Sequence, residues 1–318
     1  MSKALVLGVN GQDGSYVAES LLRRGYTVVG VARQECSRYI AAGPTFSYEQ
    51  LDLGRIEALT ALLRAVEPDC VFHTAAVHGS AGFQYETKFA SMMAVNVLSV
   101  HAVCEYARLH RPELRIVYAN SAKIFPTPLA GVIDETARIA PTCLYSIGKI
   151  AALELIHYYR LHHGIAGCNL ILFNHESARR PPEFFVPTLA RGLAASLSDS
   201  KHRFALKTLD FLADWSAAAE LMDIAVDICE RAPADDFVLA SGVTIHAREA
   251  VKQIFAHRGL DFARHVDETL PPQPAQPWFQ VSLDHLFKKI GRRPICGVTS
   301  VVDQMLAAIS PCPANDDV

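Results

Sequence analysis

Lys3-Ala-Leu-Val-Leu-Gly8-Val-Asn10-Gly11-Gln12-Asp13-Gly14-Ser-Tyr16 decides the fold. An apolar run ends in a glycine, a turn of three spaced glycines follows, and Tyr16, Val17, Ala18, Leu21 and Leu22 then recur at helical spacing over 13–24. That is strand, glycine turn, helix. Glycines let the backbone turn tightly and approach a pyrophosphate, whose charge the free N–H groups at the helix start can meet. The spacing, three residues and then three, is a variant of the usual dinucleotide fingerprint, and its placement between strand and helix gives it meaning.

The alternation continues outward. Strand-like Thr27–Ala32 precedes a helical 55–66, Asp69–Ala75 precedes a long helical 87–110, Leu114–Asn120 precedes a helical 144–163, and Gly167–Phe173 follows. The strand runs are continuously aliphatic, which suits strands buried on both faces. The expected class is α/β: a doubly wound parallel sheet over 1–173, then a smaller C-terminal substrate-binding region over 174–310. Arg179-Arg-Pro-Pro182 and the proline-rich 271–277 break the regular pattern, and Asp236–Ser241 reads as a strand returning to the main sheet. Residues 311–318 read as a disordered tail.

The 318 residues, half of them hydrophobic with a formal charge of −3, suffice for one large or two medium domains. Lys and Arg occur in ones and twos and form no basic stripe, so nucleic acid is not an expected partner. No apolar run approaches the ~18 residues that span a bilayer and no leader pattern precedes the first strand, which reads as cytoplasmic without a membrane partner. Eight scattered cysteines without C-x-x-C read as small core residues in a reducing compartment. His157, His162 and His163 lack Cys or carboxylate company at ligand spacing, so no metal is expected.

Tyr145-Ser-Ile-Gly-Lys149 carries the chemistry. Residues four apart share a helical face, so the Lys149 ammonium can sit by the Tyr145 phenol and favour its phenolate. Ser121 is placed to hydrogen-bond the substrate oxygen that Tyr145 deprotonates, and together the three indicate redox chemistry at a carbinol. At the end of the second strand, where NAD enzymes present an acid to the ribose, stands Arg33, which suits a 2′-phosphate; Glu35 nearby keeps NAD as an alternative to NADP. Asp52 and Leu53 are expected near the adenine, and Thr74-Ala75-Ala76 has the small residues a backbone needs to pass close to a cofactor.

With these residues in view, the chain resembles the extended short-chain dehydrogenases/reductases of Rossmann-like fold, and within them the GDP-mannose 4,6-dehydratase family. Gly8–Tyr16 is similar to that family's loop, and Leu172-Phe-Asn174-His175-Glu-Ser-Ala-Arg-Arg180 to its distinctive later segment. The likeness runs through about residue 180 and thins beyond. It implies that Gly8–Asp13, Arg33, Asp52, Leu53, Thr74–His78, Lys149, His175 and Arg180 contact the dinucleotide and that Ser121 and Tyr145 are catalytic; Gly14 joins the loop, and Ser121, Asn174 and Arg191 are the residues expected to face a nucleotide-diphosphate sugar. It also implies a homodimer or homotetramer, and the apolar faces of 87–110 and 144–163 would serve as its interface. Family members oxidise C4 of the hexose with NADP, remove the C5 proton, release water from C6 and return the hydride there.

The family's C5 base is a Glu two residues after the catalytic hydroxyl, and here that position is Lys123. Three roles stay open for it: a neutral amine base of depressed pKa, a hydrogen-bonding group that leaves only C4 redox, or a solvent-facing side chain. Pro187-Thr188, Ala213 before Asp214-Trp215, and Ala217-Ala-Ala-Glu220 also replace family donors, with Arg191, Lys201, Arg203 and Lys207 as candidate substitutes. The expected activity is an NADP-dependent dehydratase with altered proton chemistry. A C4 epimerase, a 4-ketoreductase and a non-catalytic cofactor-binding homologue are the alternatives.

Overall fold

Seven strands, all but the edge strand Phe46–Gln50 largely buried, make the centre of the molecule, a computed structural model that describes residues 2–79 and 82–309. They are β1 (Lys3–Leu7), β2 (Thr27–Ala32), β3 (Phe46–Gln50), β4 (Cys70–His73), β5 (Arg115–Ser121), β6 (Ala166–Leu172) and β7 (Asp236–Leu239). They run parallel in the order β7-β6-β5-β4-β1-β2-β3, so the order reverses between β1 and β4. In such sheets ligands sit at that switch point, beyond the carboxyl ends of the strands.

Helices cover both faces, which is why the strand runs are aliphatic throughout rather than alternating. On one face α1 (Gln12–Arg23) lies with α6 (Ala218–Arg231) and α8 (Asp284–Ile290) over Val6, Phe72, Val117 and Leu170. On the other, α2 (Ile56–Val66), α3 (Glu86–His110) and α4 (Leu144–His163) cover Leu5, Val71, Ile116 and Tyr118. Among the described residues α3 alone is long and apolar enough to cross a membrane by length and composition. Its Val100, Val103, Cys104 and Ala107 are instead spent in that second core.

A second layer gathers beside the carboxyl edge. α5 (Phe185–Ser198), α7 (Ala247–Ala256) and α9 (Val298–Ile309) pack with Trp215, Ala213 and Val266. A short sheet runs Thr244–His246, Leu212–Ala217, Asn174–Glu176. The chain crosses between layers more than once, because α6, β7 and α8 belong to the main sheet although they follow Asn174 in sequence. The tail at 311–318 lies outside the described residues.

Candidate active site

The glycine loop is built by close packing. Gly8 has φ +97°, a left-handed conformation that costs glycine nothing, and a Cβ there would lie 2.7 Å from the Ala75 backbone nitrogen. A Cβ on Gly14 would lie 2.3 Å from the Gly8 carbonyl oxygen and 2.8 Å from Thr74 Oγ1. The Thr74 hydroxyl donates to the Leu7 carbonyl at 2.9 Å, locking β4 to β1 at the switch point. Gly11 caps α1 in extended conformation without a side-chain bond, so the first N–H groups of the helix carry the partial positive charge that an anion neutralises.

Neighbouring side chains hold the loop rather than wait for a ligand. Asn10 Nδ2 donates to the Cys36 carbonyl at 2.9 Å and Asn10 Oδ1 accepts the Arg38 N–H at 2.8 Å, tying the loop to the segment after β2. Gln12 accepts the Ser177 hydroxyl at 2.8 Å and donates to the His175 carbonyl at 3.2 Å. His175 stands between two acceptors, the Phe173 carbonyl at 2.7 Å and Asp13 Oδ1 at 2.9 Å, an arrangement that suits an imidazolium. Burial opposes its charge, yet the Asp13 carboxylate outweighs that and raises the His175 pKa. Burial likewise works against the Asp13 carboxylate, and His175 nonetheless brings it down to about 2.

Farther along the edge, Arg33 is exposed after β2, and its guanidinium makes no hydrogen bond or ion pair among the described residues. Asp52 accepts the Gly54 N–H at 2.9 Å, Leu53 is buried, and Ala75 and Ala76 follow Thr74 at the end of β4. Arg180 lies over the Phe184 ring at 3.9 Å and faces the buried Glu176 carboxylate at 3.6 Å; Glu176 Oε2 and Arg180 Nε both lack a hydrogen-bond partner. Orphaned buried groups of both signs, beside a glycine cradle at a helix start, fit a charged dinucleotide.

The carbinol chemistry sits at the ends of β5 and α4. Tyr145 is buried and the Ser121 hydroxyl hydrogen-bonds its phenol. Lys149, 2% exposed, donates to the Ala119 carbonyl at 2.6 Å and the Tyr118 hydroxyl at 3.1 Å. Burial brings its ammonium down to about 7. This corrects the simple expectation of a phenol lowered by its neighbour. Lys149 Nζ is 5.7 Å from the Tyr145 ring centroid and is engaged with β5, while burial and then Tyr85 raise the Tyr145 pKa. The ammonium that is to share the phenol's proton chemistry is in place, but burial outweighs the cation Arg180 that also acts on the phenol.

Other expected residues lie apart from this centre or are already engaged. Lys123 is exposed on the short turn Ala122–Ile124, its backbone N–H donating to Ser121 Oγ at 3.2 Å, and its ammonium has no partner among the described residues. The burial that a neutral amine would require is not there. Asn174 is exposed on its short strand. Arg191 donates to the Pro182 carbonyl, and Arg203 is tied to Asp267 and the Arg264 carbonyl.

Sequence reasoning missed Asn96 and Tyr118. Asn96, fully buried in the π-type turn Ala94–Leu98 of α3, accepts the Val77 N–H at 2.8 Å through its side chain and the Tyr118 hydroxyl at 3.1 Å through its carbonyl. One wide turn thereby anchors both the loop after β4 and the phenol that holds Lys149. A lone Asn inside the apolar run Met92–Val103 was the available signal.

Comparison with known proteins identifies the family and the fold. A family model described as GDP-mannose 4,6 dehydratase matches residues 5–283. The chain is 30% identical over 262 residues to GDP-mannose 4,6-dehydratase of Vibrio cholerae, covering 79% of this chain and 70% of that protein. It is 29% identical over 275 residues to the Yersinia enterocolitica protein of that name, covering 82% and 73%. In fold it is similar to UDP-glucose 4-epimerase from Brucella ovis in complex with NAD, with TM-score 0.80 at 17% identity over 97% of this chain and 98% of that one.

Proposed function

The chain belongs to the GDP-mannose 4,6-dehydratase family of extended short-chain dehydrogenases/reductases, the nucleotide-sugar dehydratases and epimerases, and on that footing we propose that it dehydrates GDP-mannose with NADP. The observation that carries this reading is the Ser121, Tyr145, Lys149 centre at the carboxyl edge beside the glycine cradle. A site that had drifted to mere cofactor binding has no need of a hydroxyl, a phenol and a buried ammonium together.

NADP is held in this reading by the Gly8–Gly14 loop and the α1 N-terminus, with Asp13 and His175 behind it, Thr74–Ala76 beneath, Arg180 and Lys149 beside it, and Asp52 and Leu53 toward the adenine. Arg33 pairs the 2′-phosphate. The cofactor so held would supply the hydride chemistry, at C4 and then at C6. Tyr145 takes the proton of the sugar's 4-hydroxyl and Ser121 holds that oxygen by hydrogen bond. Lys149 is held by Ala119 and Tyr118 beside the nicotinamide side of the site, where burial brings its ammonium down to about 7. Asn174 and Arg191 are assigned to the substrate side. Lys123, exposed and unpaired, is assigned to a sugar hydroxyl or phosphate rather than to C5.

Exposed Phe89, Leu98 and Leu109 on α3 and Ile147, Tyr158 and Leu161 on α4 support a homodimer through these two helices. The chemistry is tested by anaerobic incubation with NADP and GDP-mannose in water and in D2O, with mass spectrometry of the sugar nucleotide. Loss of water with solvent deuterium incorporated is expected. Conserved mass with an inverted C4 would mean an epimerase, net cofactor consumption a 4-ketoreductase, and an unchanged sugar would count against the reading. Tyr145→Phe should lower turnover by about 100-fold or more while sparing cofactor affinity.

A further inference from the structure

Elimination needs a base at C5, and this chain has an exposed ammonium where its family has a carboxylate. We propose that His78 is that base. The inference rests on the dehydratase reading and says which residue moves the proton in it.

The neighbours of Tyr145 are nearly all committed elsewhere. Asp13 is paired with His175, Lys149 is bound to Ala119 and Tyr118, and the Tyr85 phenol is pushed up, first by burial. His78 differs. Its ring lies 4.4 Å from the Tyr145 ring, centroid to centroid, and Nδ1 is 2.6 Å from the Tyr85 hydroxyl. Nε2 has no hydrogen bond among the described residues, and the side chain reaches the surface beside Tyr145, which places the ring next to a sugar held there. In the tautomer whose Nδ1–H donates to the Tyr85 oxygen, Nε2 carries the lone pair, and the contact with Tyr85 keeps the ring in this orientation.

Charge favours the same role. Crowding by the surrounding rings and then the cations Arg180, Lys149 and Lys123 bring His78 down to about 4, so it is neutral at physiological pH and can accept a proton. A bound diphosphate offsets those cations and draws the imidazole toward the range where a general base is most effective. Lys123 thus acts on the base from nearby, without itself being the base. In the step, the C5–H bond breaks and its proton goes to Nε2. The electron pair becomes the C5–C6 double bond, and the 6-hydroxyl leaves with the proton returned from Nε2, as water. The imidazole ends neutral.

The test uses the full chain with NADP and GDP-mannose, following reduced nicotinamide by absorbance and the sugar by mass in D2O. His78→Gln is expected to lower C5 exchange and water loss at least about 100-fold while still reducing the cofactor at C4. That reduction shows the variant is folded. In His78→Ala, added imidazole should restore exchange, which a merely structural role would not allow. Lys123→Met is expected to raise KM and to leave the ratio of C5 exchange to C4 oxidation as in the wild type. Wild-type exchange in His78→Gln, or loss of exchange in Lys123→Met with C4 oxidation retained, would overturn the assignment to His78 alone. A wild-type protein that leaves GDP-mannose at its original mass overturns the dehydratase reading and this base together.

Discussion

A single methyl group at Gly14 tests whether the loop and helix form the cofactor cradle. In Gly14→Ala the new carbon would fall 2.3 Å from the Gly8 carbonyl oxygen, 2.7 Å from its carbonyl carbon and 2.8 Å from Thr74 Oγ1. Two of these are backbone atoms, and Gly8 itself sits at φ +97° against Ala75, so neither side can yield cheaply. Overpacking of this kind costs about 1–3 kcal/mol. Replacing glycine in a helix returns up to about 1 kcal/mol, less in a first turn, so a net loss of about 1–2 kcal/mol is expected in urea unfolding. The cofactor should feel more than that, because the α1 start and Gly8 must separate and the N–H groups that meet the pyrophosphate move with them. With 1.4 kcal/mol for each tenfold in affinity, the loss of one or two charge-assisted bonds of about 1.5 kcal/mol each weakens NADPH binding by about 10- to 100-fold. Fluorescence titration of NADPH measures it, with Gly297→Ala, where no atom lies within 4 Å, as control. Wild-type affinity and stability in Gly14→Ala would refute the cradle.

Further consequences concern charge and assembly. Lys149 stands at about 7 against an ordinary 10.5, so between those values the folded protein binds fewer protons than the unfolded chain and its stability rises with pH. Urea unfolding should show that slope, at most about 1.4 kcal/mol per pH unit, in the wild type and not in Lys149→Met; equal slopes would refute the shift. Arg33→Ala should weaken NADP about tenfold or more and leave NAD affinity nearly unchanged, as measured by competition titration. Leu161→Glu, at a position 79% exposed on α4, should shift the sedimenting species to a monomer without loss of thermal stability if the helices pair copies.

Much of the fold was legible because its signals are local. Continuous aliphatic runs mark strands covered on both faces, helical spacing marks their covers, and both follow from backbone geometry and burial. The glycine loop and the Tyr145–Lys149 pair could be read for the same reason, since a turn and an i, i+4 pair occupy neighbouring positions in the chain. The reading of Lys149 as a lever on Tyr145 went further than local spacing permits, because the partners that engage the ammonium, Ala119 and Tyr118, come from another element.

What the chain determined by itself is thus the alternation of elements, the glycine loop, and the candidate hydroxyl, phenol and ammonium at Ser121, Tyr145 and Lys149. Tertiary structure alone decided which acids and bases are free. Asp13 is spent on His175 across 162 residues of chain, Asn96 in a wide turn of α3 fixes both Val77 and Tyr118, and His78 comes against Tyr145 with one nitrogen unused. Hydrogen bonds and desolvation depend on distance in space, to which spacing along the chain is blind, and these set the protonation state of each group.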